Sequence, residues 1–172
     1  MNQPAGPEVR CSAVVFRGPE VLLVRRARNG NDDWVLPGGT PRPGESMAAC
    51  VRRETLEETG LRVEPGRIAL VVEANGPRSG QHTLDLVFVA SLSQPGQEPQ
   101  SAEPELRARF VSLGQVQHLD LRPPIAGHLR GLHSGRTRTA AYLGKLWRPR
   151  SQDDMRPSLL EYAGEQAAGE MS

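Results

Sequence analysis

Glu54, Glu57 and Glu58 are spaced so that, on a helix, their carboxylates share one face. Three carboxylates held that close repel one another in water. Because every donor is an oxygen, a hard divalent cation such as Mg²⁺ or Mn²⁺ is the partner that would relieve the repulsion. Arg53 adjoins the set, Glu45 stands upstream of it, and Gly38-Gly39 marks a tight turn before both. A carboxylate-bound hard metal beside a glycine turn suits work on phosphates. The alternative for the same residues is a solvated acidic helix face. That alternative does not account for Gly39, Glu45 and Gly60 at their offsets.

The spacing resembles the Nudix box of the MutT-like hydrolases, Gly-x5-Glu-x7-Arg-Glu-U-x-Glu-Glu-x-Gly-U, with U aliphatic. The matching positions are Gly39, Glu45, Arg53, Glu54, Glu57, Glu58, Gly60 and Leu61; Thr55 departs from the first U. The resemblance covers roughly Cys11 to Leu132. It implies an α/β chain with the Nudix fold, an α/β/α sandwich around a mixed β-sheet. It also implies a pyrophosphohydrolase that cleaves a nucleoside diphosphate linked to another group X, by attack of water at phosphorus. Nucleoside triphosphates, ADP-ribose and nucleotide sugars are the substrate types in view.

The same resemblance distributes roles. Glu57 and Glu58 are the main ligands of Mg²⁺ or Mn²⁺, and Glu54 is either a ligand or the base that deprotonates water. Arg53 orients Glu54 or pairs with Glu57 or Glu58. The carbonyl of Gly38 is a further ligand. Glu45 closes the helix start or holds a metal-bound water; a charge near a helix N-terminus is also stabilising without any chemistry. Glu105, from a loop outside the box, is chosen over Glu103 as an added acidic ligand, with two solvated loop charges as the alternative.

Substrate choice lies outside the box. Arg25 and Arg26, at a strand end, can meet phosphates or serve as surface charge. Trp34 can stack on a base or sit in the core. His82 and Asp85 lie on a strand that can line the cleft, and Tyr142 and Trp147 can cover it or pack. A nucleotide-sensing binding module that has lost catalysis is the competing class, against which stands the intact Arg53, Glu54, Glu57 and Glu58 set. An isomerase on the same scaffold draws little support from Cys50, inside the helix.

The chain has 172 residues, enough for one domain with a sizeable core. A net charge of +1 gives no global pull toward nucleic acid or a membrane. Twenty arginines against the single Lys145 favour a GC-rich coding bias over a specialised phosphate surface. Cys11 and Cys50 show no metal or redox spacing and read as buried thiols in a reducing cytoplasm. A cytoplasmic protein is expected, as the first residues lack an apolar leader core. A homodimer is compatible with the sequence.

The elements that must position these groups follow from pattern. Residues 1–8 read as a flexible start, 9–149 as the Nudix domain and 150–172 as a tail. Val9 to Phe16 and Val21 to Arg25 form a strand pair around Gly18-Pro19. Arg26 to Asp33, polar and holding Asn-Gly, reads as a loop. Trp34 to Gly39 is a short strand ending in the glycine turn. Ser46 caps a helix that stops at Gly60, with Ala48, Val51 and Thr55 beside the acidic face and Ala49 and Leu56 opposite, so that the helix is buried on more than one side. Leu61 to Glu73 is a strand broken at Pro65-Gly66. His82 to Leu92 is apolar on both faces after Asp85 and therefore central. Arg107 to Val111 is a strand, Ser112 to Leu119 and Pro124 to Leu132 are short helices, and Arg136 to Trp147 adds a strand or helix.

Overall fold

A computed structural model describes residues 6–28, 31–75, 82–100 and 106–146. Two strands open it, β1 (Glu8–Arg17) and β2 (Glu20–Arg28), followed by β3 (Asn31–Val35) and the two-residue β4 (Gly38–Gly39). Helix α1 (Met47–Thr59) comes next, then the long strands β5 (Val63–Asn75) and β6 (His82–Leu92). β7 (Leu106–Ser112), α2 (Leu113–Val116), α3 (Ala126–His133) and β8 (Ala141–Lys145) complete the order. The expected tail from residue 150 lies outside the described residues.

The sheet is mixed and runs β3-β2-β1-β6-β5-β8, with β4 added to β1 and β7 to β2. β1 and β6 pair in parallel over a long register, from Glu8 opposite Thr83 to Val15 opposite Ala90. β6 is thus interior, with β5 antiparallel on its other side, and the Pro65-Gly66 break appears as a register shift in β5. The alternation of β1 sorts two cores. Cys11, Ala13 and Val15 join Leu22, Cys50, Val51, Val63 and Phe88 under α1. Val14 joins Leu23, Trp34, Leu70, Val87, Ile125 and Leu129 on the opposite face, under α2 and α3. Both cysteines are fully buried and free, as their segments predicted.

Two elements differ from the sequence reading. The polar stretch before Trp34 is not a loop: β2 runs to Arg28 and pairs with β3 from Arg28 opposite Asn31 to Val24 opposite Val35. Cross-strand charge pairing supplies what apolar alternation lacks there, because Arg26 stands opposite Asp33 and grips it. Helix α1 is buried on one side, through Cys50, Val51, Thr55 and Thr59, while Ala49 and Leu56 are only half-buried. The open choice at the C-terminal end resolves to a strand, β8, parallel to β5.

Candidate active site

Both ends of α1 are fixed as its sequence directs. Ser46 Oγ accepts the Ala49 N–H at 3.2 Å, satisfying one of the donors that a helix start leaves open. Gly60 takes the left-handed conformation, φ 72°, and returns its N–H to the Leu56 carbonyl. A side chain at Gly60 would also meet the Gln100 carbonyl at 2.6 Å.

The glycine turn lies against the helix because it carries no side chains. A Cβ on Gly38 would fall 2.3 Å from the Cys11 carbonyl oxygen, and one on Gly39 would fall 2.4 Å from the Glu54 carboxylate. The first vacancy lets β4 lie flat on β1, and the second is the space into which Glu54 points. The Gly38 N–H donates to Glu58 Oε2 at 2.8 Å. Turn and helix therefore meet through two carboxylates.

Arg53 binds the others. Its Nε and Nη2 hold Glu45 in a bidentate pair, both at 2.8 Å, and its Nη1 reaches Glu54 Oε1 at 2.5 Å and Glu57 Oε2 at 3.2 Å. Of the partners expected for Arg53, it takes Glu54 and Glu57, and it adds Glu45. The Arg42 backbone N–H completes the Glu45 shell at 2.9 Å. These bonds, Arg53 first and Arg42 second, hold the Glu45 carboxyl down to about 2. Glu45 in turn is the main reason the Arg53 guanidinium is held firmly charged. Glu54 is 17% exposed against 45% for Glu57, so the first faces inward and the second the rim.

The sequence-selected phosphate binders separate. Period-two alternation puts Arg26 on the Leu22 face, toward α1, and Arg25 on the Leu23 face, away from it. Arg26 is bidentate to the buried Asp33, at 3.0 and 2.9 Å; burial draws its pKa down, and the Glu58 charge opposes that. Trp34 is 7% exposed, lies in the α3-side core, and has the Arg109 guanidinium 4.5 Å over its ring. The structure therefore brings Arg26 toward the Glu58 end of the site and leaves Arg25 and Trp34 on the other face. Tyr142 is exposed and bonds Glu73, which also pairs with His82. Glu103, Glu105 and Trp147 lie outside the described residues. Sequence reasoning passed over Arg42 and weighed Cys50 only as a buried thiol and against an isomerase; the Cys50 Sγ lies 3.5 Å from the Gly39 carbonyl. Both sit inside the box, at positions its pattern leaves free.

Among the described residues, no group of three or more His, Cys, Asp or Glu is gathered at metal-holding distance. The Glu54, Glu57 and Glu58 oxygens face Arg53 and the Gly38 N–H instead. The donor set nevertheless fits a hard cation. It is all oxygen, carries several negative charges, and faces a turn whose missing Cβ leaves room at Glu54.

The description that matches this chain is that of the NUDIX domain, over residues 6–132. The chain belongs to the NUDIX family. Its fold is similar to that of a NUDIX hydrolase from Nitrosomonas europaea, with a TM-score of 0.66 at 23% identity, covering 77% of this chain and 92% of that one. In sequence it is similar to the human diphosphoinositol polyphosphate phosphohydrolase 3-beta, 34% identical over 92 residues, which are 52% of this chain and 56% of the relative. It is also similar to the NAD-capped RNA hydrolase NudC of Pseudomonas aeruginosa, 35% identical over 128 residues, 74% of this chain and 44% of NudC. The chain thus spans about half the length of these curated relatives. NUDIX proteins generally use divalent cations. No helix among the described residues is long and apolar enough to cross a membrane.

Proposed function

We propose that this NUDIX chain is a Mg²⁺-dependent pyrophosphohydrolase that cleaves the diphosphate linkage of a nucleoside diphosphate linked to X. The observation that carries the reading is the fit of Glu54 into the space left by Gly39 while Glu58 takes the Gly38 N–H. A helix face that was merely solvated would have no use for that registry between carboxylates and turn.

Glu57 and Glu58, with Glu54 and the Gly38 carbonyl, would hold the cation, and Glu105 would add a further acid. The bound cation would offset the negative charge that grows on the phosphoryl oxygens as water attacks. Glu54 is either part of that shell or the acceptor of the water's proton. Arg53 sets the Glu54 carboxylate in either role, since its other two nitrogens are already committed to Glu45. Arg26 would meet a phosphate near Glu58, with Asp33 fixing its fork. Arg25 and Trp34, on the far face, would touch substrate only at the margin of the sheet.

The test is release of phosphate or nucleotide from a panel, with Mg²⁺ and with chelator. The panel holds nucleoside triphosphates, ADP-ribose, nucleotide sugars and, since two relatives are named for them, a diphosphoinositol polyphosphate and NAD-capped RNA. Metal-dependent cleavage of one compound well above the rest supports hydrolysis and names the class. Tight binding without cleavage across the panel supports a sensor instead. Light scattering on the same preparation tests the homodimer.

A further inference from the structure

The glycine turn is tied to β1 by main-chain bonds and by a side chain. The Ala13 N–H holds the Pro37 carbonyl at 2.9 Å, and Gly38 and Gly39 pair with Ser12 and Cys11. The side chain is Arg10, whose Nη2 donates to the Leu36 carbonyl at 3.1 Å. The other end of its fork, Nε, stands 3.7 Å from Asp85 Oδ2, an ion pair across the parallel β1–β6 register in which Arg10 faces Asp85. Ser12 Oγ donates to Asp85 Oδ1 at 2.8 Å.

Asp85 is 6% exposed and lies opposite Val72 on β5, in the same alternation as Val87. Burial pushes its carboxyl up, and Arg10 and Ser12 oppose that. Replacing such a buried charge and its partner with apolar residues is often neutral or stabilising. A carboxylate there therefore contributes little to stability as such. Its two partners sit on β1, and one of them continues to the turn that presents Gly38 to Glu58.

We propose that Asp85 and Arg10 are positioning residues: Asp85 fixes the Arg10 guanidinium, and Arg10 fixes the Leu36 carbonyl, which sets the Gly38 N–H and carbonyl against Glu58. The inference rests on the reading of Gly38 and Glu58 as cation-binding groups. It assigns a role in the site to residues on the sheet face away from α1.

Arg10→Met keeps the aliphatic stem and removes the fork. Arg10→Lys keeps the charge, but a single ammonium cannot span Asp85 and the Leu36 carbonyl, so it serves if the first variant folds poorly. Amide exchange of Gly38 is measured by NMR in metal-free protein, with Leu129, whose N–H donates to the Ile125 carbonyl in α3, as the internal control. Mn²⁺ affinity is measured by paramagnetic resonance. Each Arg10 variant is expected to speed exchange at Gly38 but not at Leu129, and to weaken Mn²⁺ binding about tenfold, the lower end for residues that orient metal ligands. Asp85→Asn should act the same way, and the double variant should lose less than the sum of the two. Unchanged Gly38 exchange and unchanged Mn²⁺ affinity in both Arg10 variants, even with a lower melting temperature, would overturn the proposal. If the wild-type chain fails to bind Mn²⁺, the cation reading itself fails, and Gly38 exchange alone then decides the positioning claim.

Discussion

The two faces of the sheet are filled by different rules. Under α1 the packing sets small side chains, Cys11, Ala13 and Cys50, among larger ones such as Leu22, Leu61 and Phe88. Under α2 and α3 it is built from Trp34, Leu23, Leu70, Ile125 and Leu129. Small residues let α1 approach β1 and β4 until Glu54 fills the space at Gly39. The large side chains of the far face each bury more apolar area than these small ones and contribute more to holding the sheet. One face is shaped by close approach for chemistry, and the other by volume for stability. Apart from the Arg10–Asp85 pair and the Thr55 hydroxyl, changes should therefore divide between activity and folding according to the face they touch.

The hardest test of that division is Glu57→Gln or Glu58→Gln. Each should cut turnover on the order of 1,000-fold, comparable to losing one well-placed charge-stabilising group, with the melting temperature nearly unchanged. Near-wild-type rates in either variant would remove the metal-ligand assignment. Leu129→Ala is the mirror experiment. It should cost about 2–5 kcal/mol in urea unfolding while the folded fraction keeps its rate. A rate loss beyond the unfolded fraction would mean that the far core shapes the site directly.

Gly39→Ala comes next. Its Cβ would fall nearest the end of the Glu54 side chain, which can swing away. Turnover should fall about tenfold, a displaced-group effect, with little loss of stability. Equal losses of both would show that the turn, not the carboxylate, yields.

Thr55 allows a gain. It is fully buried on the α1 side, and its hydroxyl has no hydrogen-bond partner among the described residues. Thr55→Val should stabilise by about 1 kcal/mol, the lower range for an unsatisfied buried group, with kcat unaltered. A lower melting temperature would reveal a partner for that hydroxyl.

The smallest effect is the pH response of Glu45. Its folded pKa, about 2, lies below the ordinary carboxylate value of 4.5. Its contribution is therefore present above the ordinary value and lost as pH falls through about 2. The acid-side loss of stability should be shallower in Glu45→Gln, followed by urea midpoints across that window. An identical acid limb in both proteins would mean that Arg53 does not grip Glu45 in solution.

Legibility followed the same split. The α1 boundaries were readable because Ser46 and Gly60 act locally, on backbone groups one turn away. β6 was recognisable as central because both its faces are apolar. The β2–β3 hairpin was hidden, since an Arg26–Asp33 pair looks like loop polarity until the strands are opposed. Period alone could not say which face Trp34 would join, because that depends on how β3 pairs with β2. Ala49 and Leu56 misled in the other direction: apolar residues on a helix suggested full burial, and both are only half-buried. Within the site, the identity of the acids was plain, but their partners were not. That Arg53 would take Glu45 by both oxygens depends on how the 40–45 loop folds back over the helix.

The stops at Ser46 and Gly60 give α1 a fixed phase as well as a fixed length. Each residue of a helix turns the next by about 100°, so one codon gained between Ser46 and Arg53 would swing the carboxylates away from the glycine turn without altering a single one of them. The same codon gained in the 93–100 segment would leave that angle untouched. Length variation in this protein is thus decisive across one turn of one helix.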